Sequence, residues 1–539
     1  MRKEVKLSIL SCACGLVIMG AFNVISRYMT PEEQNPGSYT PLTFQREIST
    51  EKDIDPLAGM DADFSLSETY SSNMPIIVLE VEDEFPTYKT FEDSQEVVYE
   101  DVNPWITGKM SIIDNGATNT LSDPASCESE IRIKERGHSS IAYNKKQYYF
   151  KLVDDDGEYI ESNLLGMGFG NGWVLNGTMS DKSYLRNYLA YRVASEIGGN
   201  NMGLDSRYCE VVWKIGDRYQ YQGLYLLIEA IERGEDRINI DEKKKDNTYT
   251  SYIVRRDRYT EFDPMLETYA RLNGQSSEWI GLKYPGSKKL TENTLQYISR
   301  DFSNIERTIY SEDRSIFLTY GKKIDVDSFI DYFIINEFFG NYDAGEHSQY
   351  MFKNTGDKLH IGPVWDFDQA MNNSVQEETD PSTIALADKG FYEYLFKDKD
   401  FIRKVKKRYN ELRPTILSNE HIFEIMEEAV EYTSLARVRD SARWAENYTD
   451  NTHTRLDSYY LENYELGDYD VSRFNESYEQ ELYVIRTYIR SHGDVIQREL
   501  TKLESSTTSD SSYRGYYSWL LLAAMIIFAV PAFLANKRG

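Results

Sequence analysis

Three aspartates near the middle of the 539-residue chain have the types and spacing for phosphate chemistry: Asp343, Asp366 and Asp368. A carboxylate can orient or deprotonate an attacking hydroxyl, and carboxylate oxygens are ligands that Mg²⁺ prefers. Asp366 and Asp368 are separated by one residue in the sequence WDFD, so both are candidates for one metal ion. Asp343 is then the candidate base.

The residues around these aspartates predict a helix followed by a β-hairpin. Apolar residues recur at helical spacing from Val326 to Phe339, which puts Asp343 in a loop after a rigid support. Ser348–Lys353 and Leu359–Val364 have the pattern of short strands joined by a polar turn around Gly356. The catalytic lobe of a protein kinase has the same order of elements: a carboxylate after a helix, then a β-hairpin, then a carboxylate after the second strand of that hairpin.

A second group of residues has the types that hold nucleotide phosphates, which require backbone N–H groups and cations. The segment RGHSS presents Arg136, Gly137, Ser139 and Ser140 near the tip of a predicted hairpin. That hairpin follows from the alternation of polar and apolar residues in EIRIKERG and QYYFKLVD. A plain β-turn is the competing interpretation.

Two lysines follow this turn, and only one is expected to face a cleft. Lys146 and Lys151 have opposite parity on the predicted strand, so their side chains point to opposite faces. We favour Lys146 as the phosphate-binding lysine, with Lys151 as the runner-up and a solvated surface charge as the alternative for each. Glu196, on a predicted helix, is the candidate carboxylate that orients the lysine.

Three further polar residues leave two interpretations open. Glu229 interrupts the apolar run QGLYLLIEAI, and its burial is costly unless it contacts the nucleotide or is paired in a salt bridge. Arg186 either contacts phosphate or pairs with a structural acid. His347 either orients Asp343 or is a buried core histidine.

Several segments together resemble the CotH kinase family, the spore-coat protein H-like atypical kinases. Agreement of several motifs in one collinear order, over roughly residues 75 to 500, is more specific than any single motif. The segments that carry the resemblance are RGHSS (136–140), KKQYYFKL (145–152), WVLNGTMSDKSYLRN (173–187), YQGLYLLIEAI (221–231) and INEFFGNYDAGEHSQYMFKN with GPVWDFDQAMNN (335–373).

The resemblance implies transfer of a phosphoryl group from ATP to Ser or Thr hydroxyls of a protein, in a bacterial spore-coat or cell-surface setting. Asp343 would be the catalytic base, and Asp366 would hold Mg²⁺ with Asp368 as second ligand. Ser348 departs from the family, which often has Asn near this position for a second metal. The alternative is a catalytically weak domain that acts as a surface adhesin or as an envelope or spore-coat assembly module. The implied ATP-binding residues are Arg136, Gly137, Ser139, Ser140, Lys146, Lys151 and Glu229.

Composition limits the partners. The chain has 60 Lys and Arg against 88 Asp and Glu and a formal net charge of −28. This balance disfavours nucleic acid, because no cationic face is evident, and it requires a local basic pocket for any nucleotide. Cys127 and Cys209 either form one disulfide or are two unrelated thiols.

The predicted fold class is α+β, a two-lobed atypical protein-kinase-like fold with a β-rich N-lobe and a helical C-lobe. Apolar runs predict flanking N- and C-terminal transmembrane helices, and the basic residues on their terminal sides predict a two-pass protein with cytoplasmic termini and an extracytoplasmic body. The predicted segments are 1–28 signal anchor, 29–74 flexible stalk, 75–235 N-lobe, 236–502 C-lobe, 503–515 linker, 516–534 transmembrane helix and 535–539 basic cytoplasmic tail. The predicted helices are Lys182–Ile197, Glu292–Glu312, Asp325–Phe339, Asp398–Leu412, Glu420–Ala436 and Ser477–Leu503.

Overall fold

A computed structural model gives the fold of the chain. It describes residues 55–81, 84–85, 88–90, 97–99, 104–116, 118–137, 144–177, 179–245, 247–260, 262–373, 381–444 and 477–507. The strands are β1 (Ser65–Leu66), β2 (Ser71–Ser72), β3 (Ile76–Val81), β4 (Tyr88–Thr90), β5 (Val97–Tyr99), β6 (Ile106–Ile113), β7 (Asn119–Thr120), β8 (Cys127–Arg136), β9 (Gln147–Val153), β10 (Ser162–Asn163), β11 (Phe169–Gly170), β12 (Gly172–Asn176), β13 (Ser206–Ile215), β14 (Arg218–Glu229), β15 (Tyr252–Asp257), β16 (Met265–Leu266), β17 (Trp279–Tyr284), β18 (Gln349–Lys353) and β19 (Leu359–Ile361). The α-helices are α1 (Arg186–Gly198), α2 (Tyr269–Leu272), α3 (Glu292–Ile309), α4 (Arg314–Phe317), α5 (Val326–Phe338), α6 (Gly390–Leu395), α7 (Lys399–Leu412), α8 (Asn419–Tyr432), α9 (Ser434–Arg443) and α10 (Tyr478–Ser506).

Seven strands pair in a closed ring. Their order is β14-β12-β9-β8-β6-β3-β13, and β13 pairs back with β14. The side-chain alternation of a strand decides which residues lie inside the ring. Ile131 and Ile133 of β8, with Phe150 and Leu152 of β9, pack in the enclosed apolar core. The residues between them therefore face outward.

A second sheet, with the order β16-β17-β15-β18-β19, supports the candidate site together with α5. Asp325 caps α5 because its side chain accepts a hydrogen bond from the Ser328 N–H at 2.8 Å. The helix ends before Gly340, whose φ of 65° suits glycine. A 3₁₀ turn, Tyr342–Gly345, follows at once and contains Asp343.

Two buried ion pairs attach α9 to the closed ring. Arg439 contacts Glu210 of β13 at 2.7 Å, and Asp440 contacts Lys145 at 2.7 Å. Asp440 also accepts a hydrogen bond from the Leu224 N–H at 2.7 Å. Because all four charged side chains are buried, each depends on its partner for its stability.

Several predicted elements are confirmed. The helix predicted before Asp343 is α5, and the two predicted hairpins are β8–β9 and β18–β19. Cys127 and Cys209 are both free thiols, so the alternative with a disulfide does not occur.

Residues 55–74, predicted as part of a flexible stalk, instead contain β1, β2 and the fully buried Tyr70.

The predicted two-lobed kinase-like fold is wrong, and the observed fold is mixed α/β. The run 222–231, expected to connect two lobes, lies mostly in β14, which is a strand of the closed ring. A single apolar core continues from Leu226 of β14 through Leu189 of α1 to Phe333 of α5. The described residues on the two sides of the predicted boundary therefore share one core instead of forming separate lobes.

The predicted flanking transmembrane helices and the two-pass localisation are also corrected. In the described ranges, no helix is both long and apolar enough to cross a membrane, so the structure does not support this part of the prediction. The segments 1–28 and 516–534 lie outside the described residues, as do 29–54, 508–515 and 535–539.

We predict that Lys145→Met lowers the free energy of unfolding by about 3–5 kcal/mol, because it leaves Asp440 buried without its cation. Urea unfolding of the purified chain measures the change. The matched control is Lys404→Met on the exposed face of α7, which should change stability by less than about 0.5 kcal/mol. Equal effects of the two substitutions would contradict the prediction.

Candidate phosphoryl-transfer site

Asp366 lies in a strained turn just after β19. Its φ is 68°, in a region that non-glycine residues rarely adopt. Helix α1 supports the turn, because the Phe367 N–H donates to Asn187 Oδ1 at 2.7 Å and the Asp366 N–H donates to the Tyr191 hydroxyl at 3.3 Å. Ser348, with a φ of 52°, donates its hydroxyl to Asp366 Oδ2 at 3.2 Å. Strained residues in contact are typical of functional sites.

Asp368 completes a pair of carboxylates that repel each other. Its side chain accepts a hydrogen bond from the Ser180 hydroxyl, and its backbone carbonyl accepts one from the Asn373 amide at 2.6 Å. Burial and the charge of Asp368 raise the pKa of Asp366, and Arg136 opposes this only in part. Burial also raises the pKa of Asp368. A bound cation would relieve this repulsion.

Asp343 has the opposite electrostatic environment. Its Oδ1 lies 2.8 Å from Nδ1 of His347, whose Nε2 lies 3.0 Å from Glu278. Although burial favours the neutral ring, the bonds to Asp343 and Glu278 raise the pKa of His347 to about 9. Burial also acts to raise the pKa of Asp343, but the hydrogen bond and charge of His347 outweigh it and lower that pKa. His347 therefore orients Asp343, which stays ionised with a side chain 35% exposed.

Arg136 is the predicted phosphate-binding residue that lies at this site. Its guanidinium lies 5.3 Å from the centre of the Trp365 ring and donates to Gln147 Oε1 at 2.7 Å. Its charge acts on Asp366 and Asp368. Gly137 follows with a φ of 131°, a conformation that favours glycine. Ser139 and Ser140 lie outside the described residues.

Lys134 is a further cation near Arg136, and it was not among the residues predicted from the sequence. It lies two residues before Arg136 on the same outward face of β8. Its ammonium lies 5.0 Å from the centre of the Trp105 ring and 5.8 Å from that of Phe262. Burial, reinforced by neighbouring cations of which Lys283 has the largest effect, lowers the pKa of Lys134 to about 8. The polar–apolar alternation in EIRIKERG was the signal that could have found it.

The two lysines proposed from the sequence lie elsewhere on the hairpin. Lys146 precedes β9, and its charge acts on Glu135. Lys151 lies on the outward face of β9, directly across from Arg132, with its ammonium 4.9 Å from the centre of the Tyr159 ring. Of the two, Lys151 shares the face of Arg136 and Lys134.

The remaining candidates make structural contacts. Glu229 is buried and pairs with Arg237 at 2.6 Å. Burial raises the pKa of Glu229 to about 8. Glu196 contacts Arg192 at 3.0 Å and His421 at 2.6 Å. Glu229 thus forms the plain salt bridge that was one of its two interpretations, and Glu196 pairs with Arg192 and His421.

Arg186 pairs with structural acids, as one of its two interpretations predicted. Its guanidinium contacts Asp181 at 2.6 Å and Glu481 of α10 at 3.1 Å. Its Nε donates to the Ala370 carbonyl at 2.9 Å. Arg186 thus fixes the segment that follows Asp368.

The donor set fits a magnesium ion that is shared with phosphates. In the described part of the chain, no group of three or more His, Cys, Asp or Glu side chains could hold a metal ion. Asp366 and Asp368 would supply two hard oxygen ligands, and Mg²⁺ in nucleotide sites takes the rest from phosphates and water. Their raised pKa values are consistent with a site that gains stability when a cation binds.

The model of the CotH kinase protein family matches residues 133–496, which is more than half of the chain. The protein therefore belongs to the CotH kinase family. The match includes Arg136, Asp343, Asp366 and Asp368. A search of the curated proteins finds no match.

We predict that the stabilising effect of His347 disappears as the pH rises. Its folded-state pKa of about 9 exceeds the ordinary 6.5, so the stabilisation is complete below about pH 6.5 and is lost as the pH rises through 9. The difference in unfolding free energy between the wild type and His347→Gln should therefore shrink by at most about 3 kcal/mol over this range. Urea unfolding at several pH values tests this, and a constant difference would contradict it.

We predict that Asp366→Asn stabilises the metal-free chain. The folded-state pKa of Asp366 is raised, so its ionised form destabilises the fold increasingly as the pH rises, and Asn removes that charge while tolerating the left-handed backbone. In EDTA at pH 8.5 the variant should melt higher than the wild type, by roughly 2–4 °C per kcal/mol gained. Mg²⁺ with ATP should then raise the Tm of the wild type only. A lower Tm of the variant in EDTA would contradict the prediction.

Proposed function

We propose that this CotH-family protein transfers the γ-phosphoryl group of ATP to a Ser or Thr hydroxyl of a protein, with Mg²⁺ as the metal ion. The observation that carries the proposal is the proximity of two kinds of carboxylate. Asp343 is ionised and oriented by His347, while Asp366 and Asp368 repel each other and gain from a cation. The charge of Asp343 acts on Asp366, which supports their assignment to one site.

Asp343 orients the acceptor hydroxyl in this proposal. The hydroxyl oxygen forms a bond to the γ-phosphorus, the bond from that phosphorus to the bridging oxygen of ADP breaks, and the hydroxyl proton passes to the Asp343 carboxylate. His347 keeps the pKa of Asp343 low, which makes it a weak base. Because phosphoryl transfer has a loose transition state, positioning of the hydroxyl contributes more than early removal of its proton.

Asp366 and Asp368 would hold the Mg²⁺, which neutralises charge that develops on the phosphates. Arg136, on the outward face of β8, acts on this pair through its charge, so its guanidinium can contact a phosphate oxygen while remaining over the Trp365 ring. The positions of these side chains are fixed before substrate binds, and preorganised groups of this kind account for most of the rate in such a reaction.

A second candidate is a catalytically weak domain that serves in spore-coat or surface assembly. Ser348 favours it, because this hydroxyl stands near the place where family members often have an asparagine for a second metal ion. The Ser348 hydroxyl donates to Asp366 and so already occupies one lone pair of that carboxylate. An absence of transfer together with intact ATP binding would favour this candidate.

We predict that Asp343→Asn lowers kcat for transfer by about 10²- to 10⁴-fold and leaves the affinity for Mg·ATP unchanged. Labelled ATP and candidate coat or surface proteins, supplied to the purified chain, measure kcat, and calorimetry measures affinity. The control is Asp357→Asn in the exposed turn between β18 and β19, which should be fully active. Wild-type activity in Asp343→Asn, or no transfer by the wild type with any divalent metal, would overturn the proposal.

A further inference from the structure

Four cations form a row on the outward face of the β8–β9 hairpin. Arg132, Lys134 and Arg136 alternate along β8, and Lys151 lies directly across from Arg132 on β9. Like charges directly opposite each other destabilise a pair of strands. The chain carries a formal net charge of −28, so acidic partners are abundant in the sequence.

These four side chains have no carboxylate partner among the described residues. Arg136 donates to the neutral Gln147, and the ammonium of Lys134 lies over aromatic rings. Asp263, whose charge acts on Lys134, is already engaged by Lys283 at 2.9 Å. A row of unpaired, partly buried cations is an arrangement that an anion would stabilise.

The row begins at the candidate site and leads away from it. Arg136 lies at its near end, beside Trp365 and the charge of Asp366. Since a strand rises about 3.4 Å per residue, Lys134 lies about 7 Å and Arg132 about 14 Å further along. A chain of phosphates that starts at a metal ion on Asp366 would therefore pass Arg136 and then Lys134.

We propose that the row binds the phosphate chain of the nucleotide. Its central phosphate-binding lysine is then Lys134, and not Lys146 or Lys151 as expected from the sequence. This inference rests on the proposed function for the identity of the nucleotide. The Trp105 and Phe262 rings hold the ammonium of Lys134 by cation–π contacts while its N–H groups stay available for an anion.

A pH dependence follows from the surroundings of Lys134. The groups that face it are Lys283 on β17, Asp263, and the cations Arg136 and Lys151 on the hairpin. Burial and these cations favour the neutral amine, and only Asp263 opposes them. Since only the ammonium form binds phosphate well, nucleotide affinity should decline above about pH 8. Below that pH Lys134 is already protonated, so nucleotide binding should not be accompanied by proton uptake at this residue.

Calorimetry on the purified full chain tests this inference, with Mg·ATP and inorganic tripolyphosphate as separate probes. Lys134→Met should weaken the affinity for both probes by about 10- to 100-fold, because one charge-assisted hydrogen bond is lost. Lys134→Arg should keep the affinity and remove the decline near pH 8, because arginine stays charged. The control is Lys109→Met on the neighbouring β6, an exposed lysine that pairs with Glu130, which should change neither affinity.

The outcomes separate this inference from the proposed function. Unchanged affinity for both probes in a folded Lys134→Met overturns the inference, whether or not the chain transfers phosphate. A Lys134→Met variant that raises only the KM for the protein acceptor also overturns it, since the row would then bind acidic groups of the acceptor. Binding that depends on Lys134 in a chain without transfer activity supports the inference and refutes the proposed function.

Discussion

The repulsion between the carboxylates of Asp366 and Asp368 is the constraint on which the surrounding structure depends. Two carboxylates this close in a strained turn destabilise the fold when both are ionised, so other contacts must hold that turn in place. Phe367, between the two aspartates, is fully buried in the apolar core. Arg186 holds the Ala370 carbonyl just beyond them. The stability of the core thus compensates for the unfavourable charge at the site.

Residues far from the site in the sequence contribute to this stabilisation. Arg186 is itself held by Asp181 before α1 and by Glu481 at the start of α10. Glu481 lies far along the sequence from Asp366, yet it holds the arginine that contacts the loop after the carboxylate pair. The family match, which extends to residue 496, includes this part of α10. We infer that α10 belongs to the scaffold of the site.

The local order of the site could be predicted from the sequence, and its surroundings could not. Helical spacing before Asp343 and the alternation that gives β18–β19 are local signals, and both elements formed as expected. Closure of the ring depends on the parallel pairing of β3 with β13, two strands far apart in sequence, for which no local pattern exists. Lys134 was missed because the alternation in β8 was used to predict a hairpin and not to assign its outward face.

The two kinds of carboxylate are set apart by their neighbours and not by their own chemistry. His347, held on its other side by Glu278, keeps Asp343 ionised, whereas burial and the charge of Asp368 raise the pKa of Asp366. Environments that push the pKa values of nearby acids in opposite directions are how one site obtains distinct roles from one residue type. An ionised Asp343 can orient a hydroxyl near neutral pH. Asp366 and Asp368, in contrast, are both ionised at this pH only when a cation binds between them. Metal binding would therefore complete the site that Asp343 already serves.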